Sequence, residues 1–181
     1  MPESWLAYGK QPKLIPSGIT FKAISNDDMA FLSELYRSTR WQEVLQAPWD
    51  DEQRIDFLAQ QFKAQHTHYQ SHYPNAEKLL IIKDQQNIGR VYVDRDEVSI
   101  CLIDVALMTD QRGQGLGTKL LKELLLEAQL SHKKVVIHVE NFNPAYHWYQ
   151  QHGFKQVEDK GVYQYMEWYP SESEKSQSNR N

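Results

Sequence analysis

Residues 111–121 read QRGQGLGTKLL. Three glycines stand at alternate positions, Gly113, Gly115 and Gly117, behind Arg112, and a leucine-rich run follows at once. Before them lies Val98–Met108 (VSICLIDVALM), apolar on both sides over most of its length, which predicts a central strand. After them Leu120, Leu121, Leu124 and Ala128 fall at helical spacing and predict a helix from Leu116 to about Ala128. The order strand, glycine loop, helix has a physical meaning. A helix N-terminus presents unpaired backbone N–H groups and a partial positive charge. Glycine lets the backbone approach a ligand and take conformations barred to other residues. Together they form an anion cradle suited to phosphates.

Two common phosphate loops fit poorly. A Walker A loop needs four residues between its first glycine and Gly-Lys-[Ser/Thr], and here Gly117 is followed by Thr118. A dinucleotide fingerprint is G-x-G-x-x-G on an early strand, with an acidic residue about 20 positions on. This chain has G-x-G-x-G late in the sequence, and only Glu140 is available for the acidic position.

Working outward, Ile19–Ala23 (ITFKA) alternates and predicts a first strand. Ser25–Asp28 reads as a capping box, opening a helix with Met29, Leu32, Leu35 and Tyr36 on one face. Residues 39–50 (TRWQEVLQAPWD) read as a connection holding two tryptophans. Asp50 caps a long helix, with Gln53 at the reciprocal position, Ile55, Leu58, Phe62 and Tyr69 facing inward, and Pro74 ending it. Leu79–Lys83 and Ile88–Val93 pair as a hairpin around Asp84–Asn87, and Arg95–Glu97 make the next turn. Downstream, Lys134–Glu140 (KVVIHVE) is a second central strand. Asn143-Pro144 starts a short helix with proline at the first position, and Gly153 ends it. Phe154–Val157 and Val162–Trp168 close the sheet.

Residues 1–18 read as an irregular segment whose Trp5, Leu6 and Tyr8 pack on the body, residues 19–169 as a single domain, and residues 170–181 as a polar, disordered tail. Formal net charge is 20 − 24 = −4, so nothing asks for nucleic acid as a partner. No apolar run approaches the roughly 18–20 residues of a membrane span. The one cysteine, Cys101, makes no internal disulfide and sits mid-strand among apolar residues, where a buried structural thiol is expected. A cytoplasmic protein follows from these readings. His66, His68 and His72 lie near a polar helix end without a supporting carboxylate pattern, so no metal is expected.

Arg112-Gly-Gln-Gly115-Leu-Gly117 resembles the R-x-x-G-x-G signature of the GNAT N-acetyltransferase superfamily. Residues 104–121 (DVALMTDQRGQGLGTKLL) look like that family's fourth strand, loop and third helix. Residues 143–154 (NPAYHWYQQHGF) resemble its N-x-A…Y…GF segment. The motif-bearing part covers roughly residues 98–168. The resemblance implies an α/β (α+β) fold: a mixed, mostly antiparallel, twisted sheet of six or seven strands with about four helices on both faces. Its central parallel pair, 98–108 and 134–140, would splay at the C-terminal ends to admit acetyl-CoA. It implies transfer of an acetyl group to a primary amine by direct attack in a ternary complex. The alternative is a catalytically weak acyl-CoA-binding or sensor module of the same fold.

The resemblance also implies roles. Main-chain groups of Val105, Ala106 and Leu107 would pair with the pantetheine arm. Arg112, Gly113, Gln114, Gly115, Leu116, Gly117 and Thr118 would hold the pyrophosphate, with Asn143 and Tyr149 as further cofactor contacts. Tyr149 would be the general acid near the departing sulfur. A lysine-like amine titrates near ~10.4, so an attacking amine needs its proton taken. His138 and Glu140 share one face of their strand by its period of two, opposite Val135, Ile137 and Val139, and are the candidate bases. Asp104 is a further option, here placed with the acceptor residues. The acceptor groove would be built from Trp41, Glu43 and Trp49 in the connection, Asp104, and Tyr163 near the last turn; aromatics with carboxylates suit a cationic amine. Exposed edge strands make a homodimer a reasonable partner state.

Overall fold

The computed structural model describes residues 14–141 and 143–172. The expectations for Trp5, Leu6 and Tyr8 and for the tail from residue 173 lie outside the described residues. Strand β1 (Ile19–Ala23) leads through a tight turn into helix α1 (Met29–Val44), and helix α2 (Asp51–His72) follows. Strands β2 (Glu77–Lys83), β3 (Gln86–Arg95) and β4 (Ser99–Leu107) come next, then helix α3 (Leu116–Ser131) and strand β5 (Lys134–Glu140). Helix α4 (Ala145–Gln151) and strands β6 (Lys155–Asp159) and β7 (Tyr163–Trp168) complete the chain. The strand order is β1-β2-β3-β4-β5-β7-β6. β4 and β5 run parallel, while β1–β2, β2–β3, β5–β7 and β6–β7 are antiparallel. A parallel pair needs a crossover of a dozen residues or more, which α3 supplies. The expected mixed sheet is present with seven strands.

The chain forms two compact units, one of residues up to Arg95 with Leu102–Glu123, the other of Asp96–Cys101 with residues from Leu124 onward. In the first unit Leu32, Phe62 and Leu80 form a buried cluster, flanked by Ile24, Met29, Phe31, Tyr36 and Ile82. Its helices start as the sequence predicts. Ser25 and Asp28 make a capping box, and Asp50 Oδ1 accepts from Gln53 N at 2.8 Å while Gln53 Oε1 accepts from Asp50 N at 3.0 Å. The β2–β3 hairpin turns on Asp84 and Gln85, at φ 49° and 66°. Both sit in the left-handed region, as a type I′ turn requires.

Three elements differ from expectation. α1 runs on through Val44, so Trp41 and Glu43 are helical rather than in a loop. Ser38 and Thr39 would favour a break, but their hydroxyls donate to the carbonyls of Leu35 and Tyr36, each at 2.7 Å, and are satisfied inside the helix. Ile55 is 39% exposed: the apolar face of α2 begins one turn before its cover does, at Leu58 and Phe62. Val98 stands outside β4 and is exposed, because Asp96 Oδ1 takes the N–H groups of Val98 and Ser99 at 2.8 and 2.7 Å and forms a turn there.

In the second unit β5 buries Val135, Ile137 and Val139 as expected and exposes His138, while Val136 on the face of His138 is buried too. β5 pairs with β7 so that His138 opposes Tyr165 and Glu140 opposes Tyr163. The parallel ladder joins Ser99–Cys101 to Lys134–Val136. β6 borders only β7, exposes all five residues, and carries a register shift between Gln156 and Glu158.

Candidate active site

In the first unit β4 ends at Leu107, and a single 3-10 turn, Thr109–Gln111, carries the chain into the glycines. Met108 N donates to Ile88 O at 2.8 Å and Gln111 N to Met108 O at 2.9 Å, which fixes the loop's entry. Gly113 and Gly115 have φ of +74° and +82°, a region that disfavours any side chain. A Cβ placed on Gly113, Gly115 or Gly117 meets nothing within 4 Å, so open space lies over the loop. Lys119 N donates to Gly115 O at 3.0 Å, closing the first turn of α3 there. The N–H groups ahead of it have no helical acceptor and face an anion's needs. Arg112 Nε donates to Leu107 O at 2.9 Å, and Gln114 Nε2 donates to Asp110 O at 3.0 Å. Beside the loop a cavity of about 100 Å³ is lined by Pro16, Lys83, Gln111, Gln114, Leu116 and Lys119, so two lysines add positive charge.

β4 is set close to β3 by a glycine. A Cβ on Gly89 would lie 2.3 Å from Ala106 O and 2.8 Å from Leu107 Cδ2. Only glycine therefore lets β3 support the strand segment Val105–Leu107 at this distance. One residue earlier, Asp104 forms an ion pair with Arg90 of β3; their side chains are 21% and 4% exposed. Arg90 Nη2 also donates to Gln65 Oε1 of α2 at 2.6 Å, and its guanidinium carbon lies 4.9 Å from the centre of the Tyr92 ring. Burial opposes the charge on Arg90, but Asp104, with Tyr92 and Tyr69, outweighs it and holds the guanidinium above its ordinary pKa. Burial raises the Tyr92 phenol, and burial, then Lys78 and Arg90, holds His66 below its usual value.

The other acceptor candidates of this unit sit apart in role. Trp41 is half-buried on α1, and Glu43 pairs with Arg40 at 3.2 Å. Trp49 packs its ring 5.0 Å from that of Phe57. Arg54 holds the same connection by donating to Val44 O at 3.2 Å and Ala47 O at 3.1 Å. These contacts anchor the α1–α2 connection.

In the second unit Tyr149 is 8% exposed on α4, with its ring edge-on to Phe154 at 5.4 Å and beside Trp148 at 5.0 Å. Pro144 is the N-cap of α4 and not its first residue as expected, and Asn143 Oδ1 accepts from Ala145 N across it at 2.9 Å. The His138 ring lies 5.0 Å from that of Tyr165. Burial, then the nearby Lys160, holds His138 below its ordinary pKa, so the ring is neutral and able to accept a proton at pH 7. Glu140 is half-buried, and Tyr163 is 45% exposed. Further along β7, opposite Val136, Glu167 accepts from Lys134 Nζ at 2.7 Å, from Tyr165 Oη at 2.9 Å, and from the Tyr169 hydroxyl. Burial raises the Glu167 carboxyl, but these three donors outweigh it and hold it below the usual range.

Sequence reasoning missed Arg90, Gln65, Gly89 and the Glu167 cluster. A signal for the first was present: Arg90 and Asp104 are opposite charges in the interiors of two adjacent apolar strands. The Glu167 cluster had none, since Lys134 and Glu167 sit at strand ends that read as solvent-facing. Cys101 is half-buried rather than buried. His72 Nδ1 is bonded to His68 O and the two rings stack at 3.9 Å; among the described residues no group of three or more His, Cys, Asp or Glu comes together. No described helix is long and apolar enough to cross a membrane.

Residues 75–156 match the family model of the acetyltransferase (GNAT) domain. No curated protein matches the sequence. Among solved structures, the PaiA N-acetyltransferase of Thermoplasma acidophilum, crystallised with coenzyme A, is similar at 17% identity and a TM-score of 0.60, covering 83% of this chain and 98% of that one. A GNAT family acetyltransferase of Elizabethkingia anophelis with acetyl-CoA bound is 17% identical at a TM-score of 0.54, covering 85% of this chain and 99% of that one. A chimera of the spermidine N-acetyltransferase SpeG from Vibrio cholerae and hSSAT is 19% identical at a TM-score of 0.55, covering 84% and 96%. At these identities the neighbours speak for the fold, while the family model falls on the segment that carries the glycine loop, α3, β5 and α4. That match, over residues 75–156, together with the shared fold, supports an acyltransferase of GNAT type with acetyl-CoA as its donor.

Proposed function

We propose that the protein acetylates a primary amine of a small molecule or peptide by direct attack in a ternary complex. The observation that carries the reading is the loop: two left-handed glycines under open space, at the start of α3 and directly after β4. A phosphate group needs backbone donors at close range, and this loop offers them without side chains in the way. Arg112 through Thr118 would hold the pyrophosphate, and the backbone of Val105, Ala106 and Leu107 would take the pantetheine arm. Bound acetyl-CoA supplies an activated acetyl thioester.

The chain's own groups do the rest. The Tyr149 hydroxyl donates a hydrogen bond to a developing thiolate, the role of a positioned acid. His138, exposed and held neutral, takes the proton of the attacking nitrogen, with Glu140 on the same face as the other candidate base. Asn143, bonded to the first residue of α4, braces the helix that carries Tyr149. The SpeG neighbour is by name a spermidine N-acetyltransferase, which supports an amine as the acceptor class.

The test is a thermal-shift titration with acetyl-CoA, coenzyme A, NAD and ATP. It is followed by thiol release with spermidine, lysine, benzylamine and an unblocked tripeptide. A ligand of the native state raises the midpoint by mass action. A rise with acetyl-CoA and coenzyme A alone, and thiol release with one amine, is the expected outcome. Midpoint shifts without thiol release from any amine would favour the sensor module, and no shift at all would overturn the reading.

A further inference from the structure

Arg90 is not needed to make β3 a strand or to fill the core. It is 3% exposed in an apolar strand, and its Nε and the hydroxyl of Tyr92 have no aligned hydrogen-bond partner among the described residues. Arg90 Nη2 meets the Asp104 carboxylate directly as a charged pair. Removing a guanidinium from water is costly, and apolar replacements of buried ion pairs often stabilise a fold. Buried polar groups left incompletely satisfied call for a reason beyond packing. Here the only member of the pair that reaches solvent is Asp104, and it immediately precedes the Val105–Leu107 segment.

Resting on the acetyl-transfer reading above, we propose that Arg90 is the positioning residue of the acceptor site. It holds the Asp104 carboxylate aimed and charge-compensated, so that Asp104 accepts a hydrogen bond from an acceptor amine in its neutral form. The chemistry requires this balance. A lone carboxylate in a poorly hydrated pocket favours the ammonium form of an amine beside it, and an ammonium has no lone pair with which to attack. With Arg90 in contact, the carboxylate still offers acceptor lone pairs but the local charge is zero. The surrounding groups do not alter the sum at neutral pH. From α2, His66 is held neutral, Gln65 is uncharged, and Tyr69 is a phenol; on β3, Tyr92 is raised. Lys78 on β2 acts on His66. The pair takes up no proton; the nitrogen's proton leaves to the base. Gln65 ties the guanidinium to α2, so that helix also sets the angle of Asp104. The acceptor class selected is a primary amine that enters neutral at its reacting nitrogen.

The experiment compares Arg90→Met, Asp104→Asn and the double variant with the unmodified protein. It uses whichever of spermidine, lysine, benzylamine or the tripeptide gives thiol release, with acetyl-CoA affinity measured by calorimetry alongside. Arg90→Met leaves a carboxylate uncompensated, so the acidic limb of the kcat profile, which reports the bound complex, should move up by about one pH unit while acetyl-CoA affinity holds. The double variant should return the limb to its place but lower the plateau by about tenfold, as an amide oxygen accepts a weaker hydrogen bond from the amine than a carboxylate does. An unmoved limb in Arg90→Met, or a wild-type plateau in the double variant, overturns the assignment. Should Arg90→Met fail to fold, the double variant, which buries no lone charge, decides by its plateau alone. Absence of thiol release from every amine overturns the acetyl-transfer reading and this assignment together. Release with variants that behave as wild type overturns this assignment only.

Discussion

Arg112 Nε donates to the carbonyl oxygen of Leu107 at 2.9 Å, so the first residue of the glycine signature is tied to the last residue of β4. The arginine therefore braces the loop as well as lending it charge. Arg112→Ala removes a charged hydrogen bond, the kind worth about 1.5–3 kcal/mol, and should weaken acetyl-CoA binding by about tenfold or more. Calorimetry on the variant checks it; unchanged affinity would show that the brace is dispensable.

Gly115→Ala places a side chain at φ +82° without any clash. The cost is conformational alone, about 1–2 kcal/mol for an L-residue in the left-handed region. Because nothing packs there, the melting temperature should fall modestly. Cofactor affinity should fall further, since the added methyl occupies the space where a phosphate would come. Equal losses in both readouts would place the effect in folding rather than in binding.

Gly89→Ala is a different kind of glycine change. Its Cβ would be driven against Ala106 O at 2.3 Å, and a backbone atom cannot swing aside. Overpacking of this sort costs about 1–3 kcal/mol or more. The strand that moves is β4, so KM for acetyl-CoA should rise together with the loss of stability. Thermal melts and initial rates measured on the same preparation test the coupling.

Tyr149→Phe keeps the ring packed on Phe154 and removes only the hydroxyl. It should bind acetyl-CoA normally and lose roughly tenfold or more in kcat, by the usual yield of a positioned acid. Undiminished turnover would remove Tyr149 from the chemistry.

Glu167 makes stability depend on pH with a definite sign. Its folded pKa is lowered, so its contribution is present above the unfolded value of about 4.3 and is lost as pH falls through the folded value. Its partner Lys134, bonded to Glu167, is raised, and its contribution is lost only as alkaline pH passes the folded value. Glu167→Gln should flatten the acid side of the melting-temperature profile. A variant profile parallel to wild type across that range would place the acid sensitivity elsewhere.

Much of this fold was legible because local chemistry and global packing agree. The capping boxes at Ser25 and Asp50, the apolar run of Lys134–Glu140 and the glycines after β4 are each short-range signals. The end of α1 was not legible: Ser38 and Thr39 are breakers on paper, and back-bonding to Leu35 and Tyr36 neutralises them. The loop residues of the candidate site were readable for the same local reason. Arg90, Gln65 and Glu167 were not, because their partners are distant in sequence: Gln65 is 25 residues from Arg90, and Lys134 is 33 from Glu167. Periodicity assigns a side chain to a face; it does not say which neighbour waits there.

The last strand of the sheet has a bearing on colloidal behaviour. β6 presents Lys155, Glu158 and Asp159 along an open border, and the shift between Gln156 and Glu158 spoils its flatness. A second chain adding itself there would have to strip water from those charges and match a twisted ladder. The border thus acts as a guard against runaway strand-to-strand polymerisation, and neutralising those charges should lower the concentration at which the protein begins to self-associate.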